Sequence, residues 1–130
     1  MASMNPEDII KYKSLYLQTS WGYLNMLMKN VAFLMNGPQT EPIIDGSYLA
    51  AHSLKSQSAL MGYEQIGKIS GIVEQILKLT KEKTLELNQE KLEIILNGLR
   101  KVQLSLTQIA ENKDEAEMSD EIKNLETLLK

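Results

Sequence analysis

The sequence predicts an all-α protein, an antiparallel four-helix bundle followed by a short fifth helix. Four stretches read as helices, and along the first, third and fourth apolar residues recur at alternating steps of three and four, the spacing that lines one side of a helix packed among others. Short breaks rich in Gly, Pro and Asn separate these stretches, and short connections make neighbours in sequence antiparallel neighbours in space. Nothing alternates with period two over a useful length, so strands are not expected.

The first helix starts at Asn5-Pro6-Glu7-Asp8. Asn can cap free N–H groups, Pro tolerates the first helical position, and acids favour the first turn. Its expected seam is Leu17, Trp21, Leu24, Met28, Val31 and Met35, with Trp21 as a core anchor and Met26, Met28 and Met35 filling gaps. Asn36-Gly37-Pro38 should end it, with Gly37 in a left-handed cap. A second helix is expected over 42–61, broken at Gly62-Tyr63. A third follows over 64–79 with the seam Ile66, Ile69, Val73 and Ile76. Asn88 should cap the fourth, whose seam is Leu92, Ile95, Leu99, Val102, Leu106 and Ile109. After a polar break at 112–117, Ser119 is expected to cap a fifth helix carrying Ile122, Leu125, Leu128 and Leu129. That piece either docks on the bundle or leads elsewhere. The expected division is a bundle over 5–111 and a C-terminal break with a short helix or linker over 112–130.

Composition narrows the function classes. A chain of 130 residues fits one domain, and 43% hydrophobic with 24% charged residues is a globular balance. The absence of cysteine removes disulfides, thiolate nucleophiles and cysteine-ligated metals. A net charge of −3, with Arg100 as the one arginine, argues against a nucleic-acid surface, which needs clustered cations. The N-terminal stretch has neither signal-peptide character nor the apolar length of a membrane span, so a cytoplasmic chain without a membrane segment is expected. Met1-Ala2-Ser3, ahead of Met4, reads as an added leader. No GxxxxGK[ST] loop or other phosphate cradle is present, and one histidine without an ExxH pattern does not suit a di-iron bundle. No cofactor or metal is therefore expected.

The candidate chemistry gathers at the single histidine, His52. At 100° per residue, Tyr48, Lys55, Ser56, Ala59 and Tyr63 lie within about 60° of it, while Ala50, Leu54 and Met61 lie opposite. His52 should therefore face away from the core, with small Ser56 and Ala59 leaving it open and Lys55 one turn away. An open imidazole beside a cation suits a phosphoryl carrier: a neutral nitrogen attacks, and the cation offsets the phosphate. If the second and third helices turn near residue 63, positions summing to about 126 are level, since both rise about 1.5 Å per residue. The position level with His52 is then Glu74, on a helix that also carries Gly67, Ser70 and Gly71. A carboxylate there can accept a hydrogen bond from Nδ1, fixing the tautomer and leaving Nε2 with its lone pair.

The run Ala51-His52-Ser53-Leu54-Lys55-Ser56-Gln57-Ser58-Ala59-Leu60-Met61-Gly62-Tyr63, with Val73-Glu74 downstream, resembles the histidine phosphotransfer (HPt) motif. The resemblance is closest to the N-terminal phosphoacceptor (P1) domain of CheA-type chemotaxis kinases, and it covers roughly residues 10–110. It implies a bundle of HPt type with His52 as phosphoacceptor, Glu74 orienting it and Lys55 contacting the phosphoryl group. It implies docking at Tyr48, Ser56, Ala59 and Tyr63. The implied partners are a histidine-kinase ATP-binding domain and the receiver domain of a response regulator, in two-component signalling of the chemotaxis kind, with the chain itself a monomer. The chain would be a carrier without its own ATP site, and whether it stands alone or belongs to a larger CheA-like kinase stays open.

Two positions depart from the family pattern. Ser56 stands where glycine usually follows the lysine, and Gly71 stands where many such domains have a polar residue, often histidine, one turn before the glutamate. Gly71 is therefore expected to weaken the hydrogen-bond network. The alternative reading is a helical docking module with a degenerate HPt site that binds partners without phosphotransfer.

Overall fold

The computed structural model describes residues 5–130, so the leader reading of Met1-Ala2-Ser3 lies outside the described residues. Five helices follow one another: α1 (Pro6–Asn36), α2 (Glu41–Leu60), α3 (Glu64–Lys81), α4 (Gln89–Ala110) and α5 (Ser119–Glu126), with a 3-10 turn at Thr127–Leu129. Among the described residues there is no strand, and no helix is long and apolar enough to cross a membrane.

The helix ends show why the chain turns where it does. Asn5 and Asn88 accept hydrogen bonds from the Asp8 and Lys91 amides, capping α1 and α4 as expected. The end of α2 is closed by two reverse bonds, Gly62 N to Ala59 O at 3.1 Å and Tyr63 N to Ser58 O at 2.9 Å. This closure needs a left-handed residue between them, which Gly62 supplies at φ 81° without a Cβ penalty. Gly37, by contrast, is not left-handed: its φ of −143° is extended backbone. A Cβ there would lie 3.1 Å from the Phe33 ring, so the requirement at Gly37 is close approach. Ser119 does not cap α5 either. It is the first helical residue, and its amide and hydroxyl both turn back to the Glu117 carboxylate.

In α3 and α4 every seam residue named from the sequence is buried. In α1 the buried line is Tyr16, Ser20, Leu24, Leu27, Val31 and Leu34, while Leu17, Trp21, Met28 and Met35 are partly buried beside it and Met26 is exposed. The expected seam shared only Leu24 and Val31 with this line. It went astray because two of the inward positions are polar. Ser20 and Tyr16 look like outward residues, yet Tyr16 is buried with its hydroxyl hydrogen-bonded to Ser58 on α2 at 2.8 Å. Further polar rungs tie α1 to α2: Thr19 to Gln57 at 2.6 Å and Asn30 to Ser47 at 3.0 Å. A polar rung of this sort sets the register of two helices as an apolar contact does not, since a slip leaves buried hydroxyls unpaired.

The chain beyond α4 joins the same core. Met118 and Leu125 are fully buried, and α5 lies against α3 and α4. Gly98 makes this approach possible, since a Cβ there would stand 2.9 Å from Leu125 Cδ1. The connecting segment is also hydrogen-bonded in place. Glu115 accepts from the Gln65 and Ile66 amides at 3.0 and 3.1 Å, and the Ala116 amide donates to Ser105 at 2.9 Å.

Candidate functional site

The α2–α3 hairpin brings three predicted residues together. With the turn closed at Gly62, His52 Nδ1 lies 2.5 Å from Glu74 Oε2, and Lys55 Nζ lies 2.5 Å from Glu74 Oε1. An ionised carboxylate can only accept, so the imidazole donates from Nδ1–H, the tautomer that in the neutral ring puts the lone pair on Nε2. The His52 side chain is 53% exposed, whereas that of Glu74 is 11% exposed. The carboxylate thus sits under the site, and the imidazole stands in solvent on top of it.

Burial pushes the Glu74 carboxyl up, but the hydrogen bonds from Lys55 and His52, with their charges, outweigh it. The net result is a carboxyl held below its usual range. Glu74 is therefore a fixed negative charge under the imidazole at neutral pH.

The remaining predicted residues divide. Ser56 and Ala59 are exposed along the His52 face of α2. Tyr48, one turn before His52, lays its ring nearly parallel to the imidazole, with centroids 6.5 Å apart and planes at 18°. Tyr63 does not stand on this face as free docking surface. It is half-buried at the start of α3 with its ring 5.1 Å from that of Tyr16, and burial together with the Glu115 and Asp114 charges raises its phenol. It reads as a prop of the turn. Sequence reasoning missed Leu49 and Leu60, which are 61% and 86% exposed. The helical arithmetic already contained them, since Leu49 falls about 60° and Leu60 about 80° from His52.

Gly71 does not leave the network broken. Lys55 crosses α3 over this glycine and fills the second oxygen of Glu74 directly. Among the described residues no group of three or more His, Asp or Glu side chains could hold a metal ion.

The described helices form a bundle that presents an exposed histidine over a buried carboxylate on the adjacent helix. The family model described as the Hpt domain matches residues 12–130, and the chain belongs to that family. The chain is 22% identical over 107 residues to chemotaxis protein CheA of Bacillus subtilis (strain 168), covering 82% of this chain and 16% of that protein. Over 116 residues it is 22% identical to chemotaxis protein CheA of Listeria monocytogenes serovar 1/2a, covering 88% of this chain and 19% of the relative. It thus spans less than a fifth of the curated relatives it matches. The fold is similar to the phosphorylated P1 domain of CheA3, solved in complex with CheY6 from R. sphaeroides, at a TM-score of 0.81. That match has 17% identity and covers 90% of this chain and 94% of the other.

Proposed function

We propose that His52 is the phosphoacceptor of this Hpt domain, receiving a phosphoryl group from the ATP-binding domain of a CheA-type histidine kinase and passing it to the receiver domain of a response regulator. The observation that carries this reading is the 2.5 Å hydrogen bond between Nδ1 and Glu74 beneath a half-exposed ring. It supports a neutral Nε2 nucleophile held in one orientation.

In the forward step the Nε2 lone pair forms the N–P bond as the bond from the γ-phosphorus of ATP to its bridging oxygen breaks, and ADP leaves. Nδ1 keeps its proton throughout. The ring gains positive charge, and the Glu74 carboxylate on the other side of that proton stabilises it. In the return step a receiver aspartate attacks the same phosphorus and the N–P bond breaks, restoring the neutral imidazole. Lys55 is placed to offset charge on the phosphoryl oxygens once it leaves Glu74. The similarity to a P1 domain that is phosphorylated and in complex with CheY6 supports a receiver as the partner here. Exposed Leu49 and Leu60, flanking Ser56 and Ala59, offer the apolar area that such a contact would bury.

The test uses the ATP-binding domain of a CheA-type kinase with radiolabelled ATP. The protein should acquire an acid-labile, base-stable phosphate, absent from His52→Gln. Labelling that persists in the variant would place the phosphate on another residue. Binding of a receiver domain, without labelling and unchanged by His52→Ala, would favour a docking module instead.

A further inference from the structure

Gly71 lies inside α3, where glycine lowers helix stability relative to alanine because it gives up more backbone freedom. No turn or positive φ calls for it there. What stands over it is one side chain. A Cβ at position 71 would meet Lys55 Cδ at 3.2 Å and Lys55 Cγ at 3.7 Å, and no other residue supplies a contact within 4 Å. The neighbouring Gly67 differs, because a Cβ there would make ordinary contacts of 3.8 and 3.9 Å with the backbone of α2. Position 67 tolerates a methyl, whereas at 71 the lysine stem already occupies the space.

We propose that Gly71 is a positioning residue for the candidate site: its missing side chain opens the lane by which Lys55 crosses α3, making Glu74 the common partner of Lys55 and His52. This rests on the phosphoacceptor reading only for its consequence, not for its geometry. Lys55 anchors on α2 one turn from His52, and Glu74 lies on α3 one turn beyond Gly71. The straight route from one to the other passes over residue 71. A side chain there lifts the stem off the helix and takes the ammonium away from Oε1. Glu74 then keeps His52 as its one side-chain partner, and its carboxyl loses the stronger of the two groups that hold it down.

The experiment follows the Glu74 side-chain carboxyl by carbon-13 NMR through an acid titration of the full chain, with the signal assigned by its loss in Glu74→Gln. Four proteins are compared: wild type, Gly71→Leu, Lys55→Gln and the double variant, with circular dichroism to check the fold. Gly71→Leu should shift the Glu74 midpoint upward, as Lys55→Gln does, and should add nothing once Lys55 is gone. An unmoved midpoint in Gly71→Leu, or an equal shift with and without Lys55, would overturn the proposal, because a purely structural glycine does not act through one lysine. Should the leucine variant fail to fold, Gly71→Ala decides the question. Helix propensity favours that change, and its methyl displaces Cδ from 3.2 Å, so a smaller shift, abolished by Lys55→Gln, is expected. In labelling by the kinase domain, Lys55→Gln should slow the reaction more than Gly71→Leu, which keeps the ammonium available to the phosphoryl oxygens. A wild-type protein that takes no label would sink the phosphoacceptor reading and leave the titration result standing.

Discussion

Two glutamates, Glu74 and Glu115, each have both carboxylate oxygens engaged by donors from other parts of the chain, and they serve opposite ends. Glu115 reaches from the α4–α5 connection to two backbone amides at the start of α3, Gln65 and Ile66. Those amides are the unsatisfied N–H groups of a helix end, and Tyr63, at the capping position, has no side-chain acceptor to offer them. Glu74 instead serves two side chains, His52 and Lys55, that are 53% and 40% exposed. Water would satisfy both of these if Glu74 were absent. A carboxylate bound to backbone donors holds the fold, whereas one bound to side-chain donors that solvent could serve equally well fits the positioning role proposed for Glu74.

The first way to break the comparison is at the reactive end. Glu74→Ala should slow phosphorylation of His52 by about 10- to 100-fold, the usual cost of removing a group that orients a working histidine. Its stability should fall by only about 1 kcal/mol, because the two partners it abandons turn to water. Labelling kinetics and a urea melt on the same sample measure the two numbers together. A large stability loss with unchanged kinetics would exchange the roles assigned to the two glutamates.

The complementary change is Glu115→Ala, expected to cost about 0.5–2 kcal/mol, as loss of a helix cap does. The rate at which the folded protein takes up phosphate should stay the same. Lost protection of the Gln65 and Ile66 amides in hydrogen exchange would identify the cap as the cause. Fast exchange at His52's own level of α2, with those two amides still protected, would show that Glu115 supports the site rather than the helix start.

How far this contrast could be read in advance depends on which contacts follow from spacing. The pairing of His52 with Glu74 was legible because Gly62 marks the turn and two antiparallel helices of equal rise fix the level. The apolar seams of α3 and α4 were legible for the same periodic reason. In α1 the periodicity misled, since buried Ser20 and Tyr16 are polar and the hydroxyl that pairs with Tyr16, on Ser58, lies far away in sequence. Gly71 was read as a gap in a hydrogen-bond network, because sequence spacing cannot show that a lysine stem from another helix fills it. The cap from Glu115 was invisible for a similar reason: it arrives 49 residues after the amide it satisfies, by way of a loop whose path only the packing of α5 defines.

The smallest expected effect is the acid dependence of stability, and its sign follows from Glu74. Its folded carboxyl titrates below the ordinary value of 4.5, while in the unfolded chain it loses its partners and returns to that value. Between the two, the unfolded state binds more protons than the folded one, so stability rises with pH across that interval. The stabilisation is present in full above pH about 4.5 and is lost as pH falls through the folded midpoint. Urea unfolding at successive pH values below about 5 should therefore show a shallower acid decline in Glu74→Gln than in wild type, with the two curves parallel above it. Lys55→Gln should remove part of the same slope, since the ammonium is one of the groups that lower the carboxyl. If the wild-type and Glu74→Gln curves stay parallel down to the acid limit, the pair beneath His52 exchanges freely with water, and the orientation of the imidazole has to come from its contact with Tyr48.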